Sequence, residues 1–575
     1  MTSLPEYIVN LTRSGKNEHD VRCREYDRCY DIYRAKYSVD GLEPWQSKLR
    51  VPYAMQIVDT ALVNVVNGRP RAKVLPRGPE DESAAKAMQA ALDYAVQEDH
   101  LVEKEPLFVQ QALIYGVTAA KNKWAFERTE KMVRREVVGE DGMPLLITAT
   151  EQVVTRDGPT FEPWSVYDIW WDPDARDVDS AEYVVLRSYV GKDELRRLAI
   201  NEDAGTGVYH NVDELIASGT VASQQGGSAQ ERLNRSDKRK DKYELWEVWR
   251  KTRNGLNVTV LGNQKVVLRD TPWNFLNGRK PLVITTCRPD LFDMQGISEI
   301  ELVDHLQQAL HTVQNMRMDN LHLTVMQGIT YREGGVTDPN ALELRPRFKW
   351  GVSDHDDVRA FQMPQLPREA YEEQSSLLSQ MQLVTGINPY ISGSNMDSVD
   401  QNTATGVTVL SEVASRLLRF KAKMILEKGF QRTYEQWAAL IQQLQDKPFW
   451  TRIIGEDGQV RWGQINPADL GGNIDVVIEG SEESLSRQQE RAEAVALLNS
   501  FAPFAGMVNI APVLERVGAA YNMPDLAKVM QPPAQQAPPA APVAPQGAPT
   551  ASPEPNPMPD NSFPASVSQA IMGGQ

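Results

Sequence analysis

Residues 296–326 read GISEIELVDHLQQALHTVQNMRMDNLHLTVM, and their periodicity decides the fold. Leu302, Leu306, Leu310 and Val313 recur at helical spacing, and Ser298 with Glu301 forms a capping box ahead of them. About thirty residues predict a rod of roughly 45 Å. Gly328, Gly334, Gly335, Pro339 and Pro346 then interrupt helicity across a compact insertion, expected to contain strand, that runs to about Leu366. A second helix is predicted from Pro367 through Tyr371, Leu377, Leu378, Met381 and Val384, ending at Gly386 to Pro389.

Working outward, the next stretch is GSNMDSVDQNTATG (393–406), which carries Asp397 and Asp400 and no Lys, Arg, His or Cys. Beyond it Val407, Leu410, Val413, Leu417, Met424, Trp437, Leu440 and Leu444 sustain one helical period. That run predicts a helix of about forty residues, roughly 60 Å long, with Gly429 as the expected bend. Strands return from Phe449 to Ile478 around an Asp457-Gly458 turn, and a helix is expected near Leu485 to Phe501. The tail from Gln531 is rich in Pro and Ala and is expected to be disordered, because it cannot bury enough apolar surface to offset its ordering entropy.

On the N-terminal side, helices are predicted at 52–66, 83–97 and 105–116, the last closed by Gly116. From 117 to 290 the pattern is alternation, punctuated by the hairpin signals Asp141-Gly142, Asn254-Gly255 and Gly262-Asn263. Inside it, 215–242 is polar, Gly/Ser-bearing and then basic, and is expected to be a mobile loop whose Lys238, Arg239 and Lys240 form a solvated charge run. The class is α+β.

Composition bounds the function. The chain has 575 residues, 41% hydrophobic and 24% charged, which is ordinary globular composition. No apolar run approaches the roughly 18 residues of a membrane span, and the start lacks the layout of a signal peptide. Cys23, Cys29 and Cys287 have neither disulfide-framework nor zinc-site spacing, which fits folding in a reducing cytoplasm. A formal net charge of -16 opposes tight, general nucleic-acid binding, which needs cations.

Catalytic motifs fail on spacing. There is no phosphate-binding glycine loop, nucleophile elbow or zincin helix. His305, His311 and His322 share one helix at steps of six and eleven, which do not pair metal ligands, so polar packing is expected of them. Asp168, Asp172, Asp174, Asp177 and Asp179 are the best enzyme candidates, as oxygen ligands for a hard cation in a metal-dependent hydrolase. They lack the glycine and the closing glutamate of a calcium loop, and a solvated turn is the preferred reading. Trp246, Trp249, Arg250 and Arg253 in YELWEVWRKTR (243–253) admit base stacking, but a buried core strand is preferred.

The order of these elements resembles the portal proteins of tailed bacteriophages, over about residues 20 to 500. PWQSKLRVPYAMQIVDTALVNVVNGRPRAKV looks like the family's early wing helix and YDIWWDPDARDVDSAEYVV its wing segment around an Asp-Pro turn. GISEIELVDHLQQALHTVQNMRMDN is similar to the first stem helix, and NTATGVTVLSEVASRLLRF to the start of the long helix after the tunnel loop. The resemblance implies a mixed α/β wing at 1–296, stem helices at 297–326 and 367–388, and a small α/β clip at 327–366. It further implies a tunnel loop at 389–403, a long wing helix at 404–445, returning wing strands at 446–484, a helical crown at 485–530, and the disordered tail from 531.

Function follows from the same resemblance: a structural ring of twelve subunits, neither enzyme nor cofactor-dependent, through which double-stranded DNA enters and leaves the capsid. Implied partners are the large terminase, the major capsid protein and scaffold, and head-to-tail adaptor proteins, with no membrane involved. The implied location is the portal vertex of the virion, after assembly in the host cytoplasm. Gly393, Ser394, Asn395, Met396, Asp397, Ser398, Asp400, Gln401 and Asn402 would form the channel loop. Glu299, Asp304, Asp319, Glu369, Glu372 and Glu373 are candidates for an acidic channel lining. Arg332, Glu333, Arg345, Arg347, Lys349 and Trp350 are candidates for docking terminase or adaptor on the clip.

Overall fold

The chain enters through two helices ahead of the first one predicted, α1 (Leu4–Leu11) and α2 (Arg13–Tyr33). Ser3 and Glu6 close a capping box on α1, and α2 buries Tyr26, Cys29, Ile32 and Tyr33 along one face of an otherwise charged surface. The structure is a computed structural model, and it describes residues 3–37, 41–66, 71–138, 144–200, 207–220, 241–325, 328–334, 336, 351–361, 369–387, 416–454 and 460–479. All of these lie in the first of two units, residues 1–488 and 489–575. The expected crown and tail fall outside the described residues.

Three predicted helices follow, interleaved with a strand: α3 (Tyr53–Val66), β1 (Arg71–Pro76), α4 (Glu82–Glu98) and α5 (Leu101–Tyr115). Gly116 ends α5 at φ +79, and a Cβ there would stand 2.3 Å from the Gly296 carbonyl oxygen. Only glycine satisfies both the left-handed backbone and that approach.

The sheets are antiparallel throughout, as the hairpin signals predict. β2 (Val117–Val138) and β3 (Pro144–Trp164) form one long hairpin. A five-stranded sheet combines β4 (Ile169–Trp171) and β5 (Tyr183–Gly191) with three strands that follow two short helices, α6 (Lys192–Leu198) and α7 (Val212–Ala217). Those strands are β6 (Lys242–Thr252), β7 (Gly255–Gly262) and β8 (Val266–Pro272). Asn263 and Gln264 turn β7 into β8 with φ of 48 and 61, the left-handed pair a tight hairpin demands. β6 is the YELWEVWRK stretch, with Trp246 and Trp249 1% and 2% exposed, so it is core strand and presents no stacking surface.

One expectation changes here. The loop predicted from 215 begins inside α7, because Leu215 is wholly buried in a small core with Leu245, Val260 and Leu268. Residues 221–240, including Lys238, Arg239 and Lys240, lie outside the described residues.

β9 (Leu282–Thr286) pairs with the start of β2, and the chain then enters the long helix α8 (Glu299–Val325). A two-stranded antiparallel pair, β10 (Gly328–Tyr331) with β11 (Val358–Phe361), separates α8 from α9 (Glu369–Thr385). The helices α8 and α9 pack on each other. After the segment 388–415, which is outside the described residues, a helix runs from 416 through a π segment, Lys423–Glu427, into α10 (Lys428–Leu444). The irregularity expected at Gly429 is therefore this π segment. Gly429 itself is helical, and its missing side chain lets Phe108 approach: a Cβ would stand 3.1 Å from the ring.

The core forms where α10 meets α5 and the β2–β3 base. Phe108, Phe161 and Phe430 lie within 5.3–5.8 Å of one another, and Trp437 is fully buried with its indole N–H donating to Asn122 at 3.2 Å. Each such ring contributes about 1.5–3 kcal/mol by burial. β12 (Phe449–Ile454) and β13 (Val460–Ile465) pair with each other, and β14 (Ile474–Glu479) returns to pair with β1.

Candidate functional site

The helix pair α8/α9 is fastened at its base by buried charge. Ser298 caps α8, its Oγ accepting from the Ile300 N–H at 2.9 Å and donating to the Ile114 carbonyl at 2.9 Å. Glu299, the first helical residue, is 0% exposed. Arg288 Nε donates to its Oε1 at 3.0 Å, and Lys421 Nζ, also fully buried, stands 2.9 Å from its Oε2. The same two cations reach the last turn of α9: Lys421 Nζ donates to the Thr385 carbonyl at 2.7 Å and Arg288 Nη2 to the Val384 carbonyl at 3.2 Å. Helix-end carbonyls, otherwise unpaired, are thus satisfied by positive charge. Burial beside this carboxylate drives the Cys287 thiol well above its ordinary range. The node joins the start of α8, the end of α9 and the helix that leads into α10.

Farther along α8, one stripe of polar side chains at every fourth position holds an extended strap of chain, residues 47–52, and the first turn of α3. Gln307 Oε1 accepts from the Ala54 N–H at 2.6 Å, and His311 Nε2 meets Val51 N and O at 3.1 and 2.8 Å. Asn315 accepts from the Leu49 N–H at 2.8 Å and donates to its carbonyl at 3.2 Å, and Asp319 accepts from the Ser47 N–H at 2.5 Å. Burial lowers the His311 pKa and so favours the neutral ring, whose Nε2 makes one of these bonds according to its tautomer, accepting from the Val51 N–H or donating to the Val51 carbonyl. Toward the tip, Arg317 lies over the Tyr371 ring at 4.1 Å, joining α8 to α9 beside a groove of about 420 Å³ that Leu49 and Leu321 also line.

These contacts revise the acidic set read from the sequence. Glu299 belongs to the buried node and is no lining residue. Asp304 is 3% exposed and pairs with Arg28 while accepting from Gln308, so it too faces the interior of the subunit. Asp319 is half-buried under the strap. Glu369 opens α9, and Glu372 and Glu373 remain on its exposed surface. Helical spacing alone placed all of these carboxylates on helices without saying which face the strap and the long helix cover. The covering segments lie up to 272 residues away in sequence.

Four of the five aspartates of 168–179 are engaged, each by different partners. Asp168 takes Arg187 Nε at 2.9 Å, Asp172 accepts from the N–H groups of Asp174 and Glu182, and Asp177 from those of Asp179 and Ser180. Asp179 is held by both terminal nitrogens of Arg432 at 2.7 Å, which keeps its carboxyl below the usual range. Among the described residues, no group of three or more His, Cys, Asp or Glu is placed to hold a metal ion. The turn, between β4 and β5, is clasped to α10 by Arg432, the partner that sequence reading missed.

A family model described as phage SU10 portal protein matches residues 140–570, a span that takes in the α8/α9 pair, the strands between them and α10. The chain belongs to the phage SU10 portal protein family. No curated protein matches it. A portal protein is a structural component. Among the described residues no helix is long and apolar enough to cross a membrane. Of the clip candidates, Arg332 is exposed and pairs with buried Asp357 at 3.2 Å, and Glu333 is exposed beside it. Arg345, Arg347, Lys349 and Trp350 lie outside the described residues, as do all nine loop candidates from Gly393 to Asn402.

Proposed function

We propose that this portal protein assembles as a ring, of twelve subunits on the family's pattern, whose central channel conducts double-stranded DNA into the capsid and out again. The family match over residues 140–570 carries the reading. The helix pair α8/α9, locked at its base by Glu299, Lys421 and Arg288, supplies a rigid stem. Glu372 and Glu373 are exposed on α9, and they face the lumen in this proposal. A lumen of that charge repels phosphate, so the duplex slides without the counterion release that fixed cations would bring. The segment 389–403, small and polar and without a cation between Gly393 and Asn402, forms the channel loop.

In the same proposal the clip, with Arg332 and Glu333 on its surface, docks the large terminase during packaging and head-to-tail adaptors afterwards. The wing contacts the major capsid protein and scaffold. Assembly takes place in the host cytoplasm and the product is the portal vertex of the virion. Deleting residues 394–400 tests the loop: sedimentation shows rings of unchanged size, while DNA packaged per particle falls. Unchanged packaging with the deletion would remove the loop from the mechanism.

A further inference from the structure

We infer that the outer half of the β2–β3 hairpin is an arm that docks on a second copy of this chain; the inference rests on the ring reading above.

The hairpin has two unlike halves. Its inner half is supported: β2 pairs with β9 over Val117–Lys121, and Phe161 is buried against Phe108 of α5 and Phe430 of α10. Support ends where the register shifts between Glu127 and Arg128. Beyond that point eleven residue pairs, from Arg128↔Val154 to Val138↔Pro144, continue with no third strand among the described residues. At about 3.4 Å per residue the arm is roughly 35 Å long. An isolated two-stranded hairpin is marginal in water, and both of its edges carry unpaired N–H and C=O groups. Met132 is 81% exposed, and Val154 nearly half exposed. The sequence of the arm is strand-forming and apolar, with Val133, Val137, Leu145 and Ile147 among its residues.

Charge and symmetry choose the occupant. Residues 128–154 hold four basic and five acidic side chains, so the arm lacks the cation excess that a DNA backbone requires. A closed ring repeats one head-to-tail contact at every junction, so an arm reaching sideways meets the same acceptor surface on each neighbour, and exchanging an element between copies is a low-cost way to make that contact. Strand addition to an open edge supplies the hydrogen bonds that the arm lacks.

The test places a thiol on the arm. Cys29 and Cys287 are buried, and burial pushes the Cys23 thiol up to about 12, so a Met132→Cys chain has one thiol that reacts readily with maleimide near neutral pH. Labelling at Met132→Cys is expected to be at least tenfold slower in assembled rings than in chain diluted to monomer. Replacing 128–154 by a short turn is expected to leave a folded monomer, by circular dichroism, that forms no rings. Met132→Lys, a change at an exposed site that leaves subunit melting unaltered, is expected to weaken assembly as well. Equal labelling in rings and monomer overturns the inference, as do normal rings from the armless chain, an outcome that assigns the arm to another protein. If the armless chain does not fold, labelling alone decides. Native chain that never forms rings sinks the ring reading itself.

Discussion

The two ends of the α8/α9 helix pair differ in kind. At the base, α8 and α9 are fixed to the long helix by a fully buried carboxylate and two cations that also close the last turn of α9. Toward the tip, Met316, Leu321 and Val325 of α8 and Tyr371 of α9 are exposed, and the contacts are a polar ladder to one extended strap. A buried ion pair contributes geometric uniqueness more than stability, because desolvation offsets most of its attraction. The base therefore sets where the helix pair starts, while its far end leaves apolar side chains exposed.

The largest expected effect breaks the base. Lys421→Met leaves Glu299 buried with half its compensation and costs about 3–5 kcal/mol in denaturant unfolding. Adding Glu299→Met recovers most of that loss; a double variant as unstable as the single one would mean that the pair itself, and not an orphaned charge, sustains the base.

A smaller effect comes from the strap. Asn315→Leu removes both hydrogen bonds to Leu49 and costs about 1–2 kcal/mol. Limited proteolysis then cuts faster within 41–52, and an unchanged cleavage rate would show that the ladder does not hold the strap.

The strap and the node also show what the sequence made legible. The antiparallel hairpins, the helix ends at Gly116 and Gly386 and the helix–insertion–helix order follow from local chemistry: turn residues, left-handed glycines and period. The period through Leu302, Leu306, Leu310 and Val313 marks only part of the core face of α8: Leu310 is buried and Leu306 and Val313 pack on the core, while Ile300, Val303, Gln307 and His311 are buried as well. Gln307 and His311 count as polar in any periodicity reading, yet their burial is satisfied by backbone groups of residues 51 and 54. A repeat of Gln, His, Asn and Asp at every fourth position was the available signal. The pairing of Glu299 with Lys421 had none, because 122 residues separate them and nothing local marks either as buried.

Smaller again is the clasp at Asp179. Arg432 lowers its pKa, so its stabilisation is complete above the ordinary carboxylate value and is lost as pH falls from there through the lowered one. Asp179→Asn costs about 0.5–1 kcal/mol at neutral pH, given the partial exposure of the pair. That deficit relative to the native chain should shrink as melts are taken below about pH 4; a constant deficit would remove the ion pair from the account.

The smallest effect on the subunit is the exposed acidic face. Glu372→Lys with Glu373→Lys should change stability by no more than about 0.5 kcal/mol. In rings the pair should instead create salt-sensitive DNA retention, read as slower packaging at low ionic strength that recovers with added salt. Packaging indifferent to both charge and salt would place these residues away from the lumen.

The ring itself is tested most directly by electron microscopy of the purified chain. The account predicts closed rings around a channel wide enough for duplex DNA, with the Glu299–Lys421 node buried inside every subunit and Glu372 and Glu373 on the channel wall. A chain that stays monomeric at every concentration, or rings whose stem helices lie away from the channel, would contradict it.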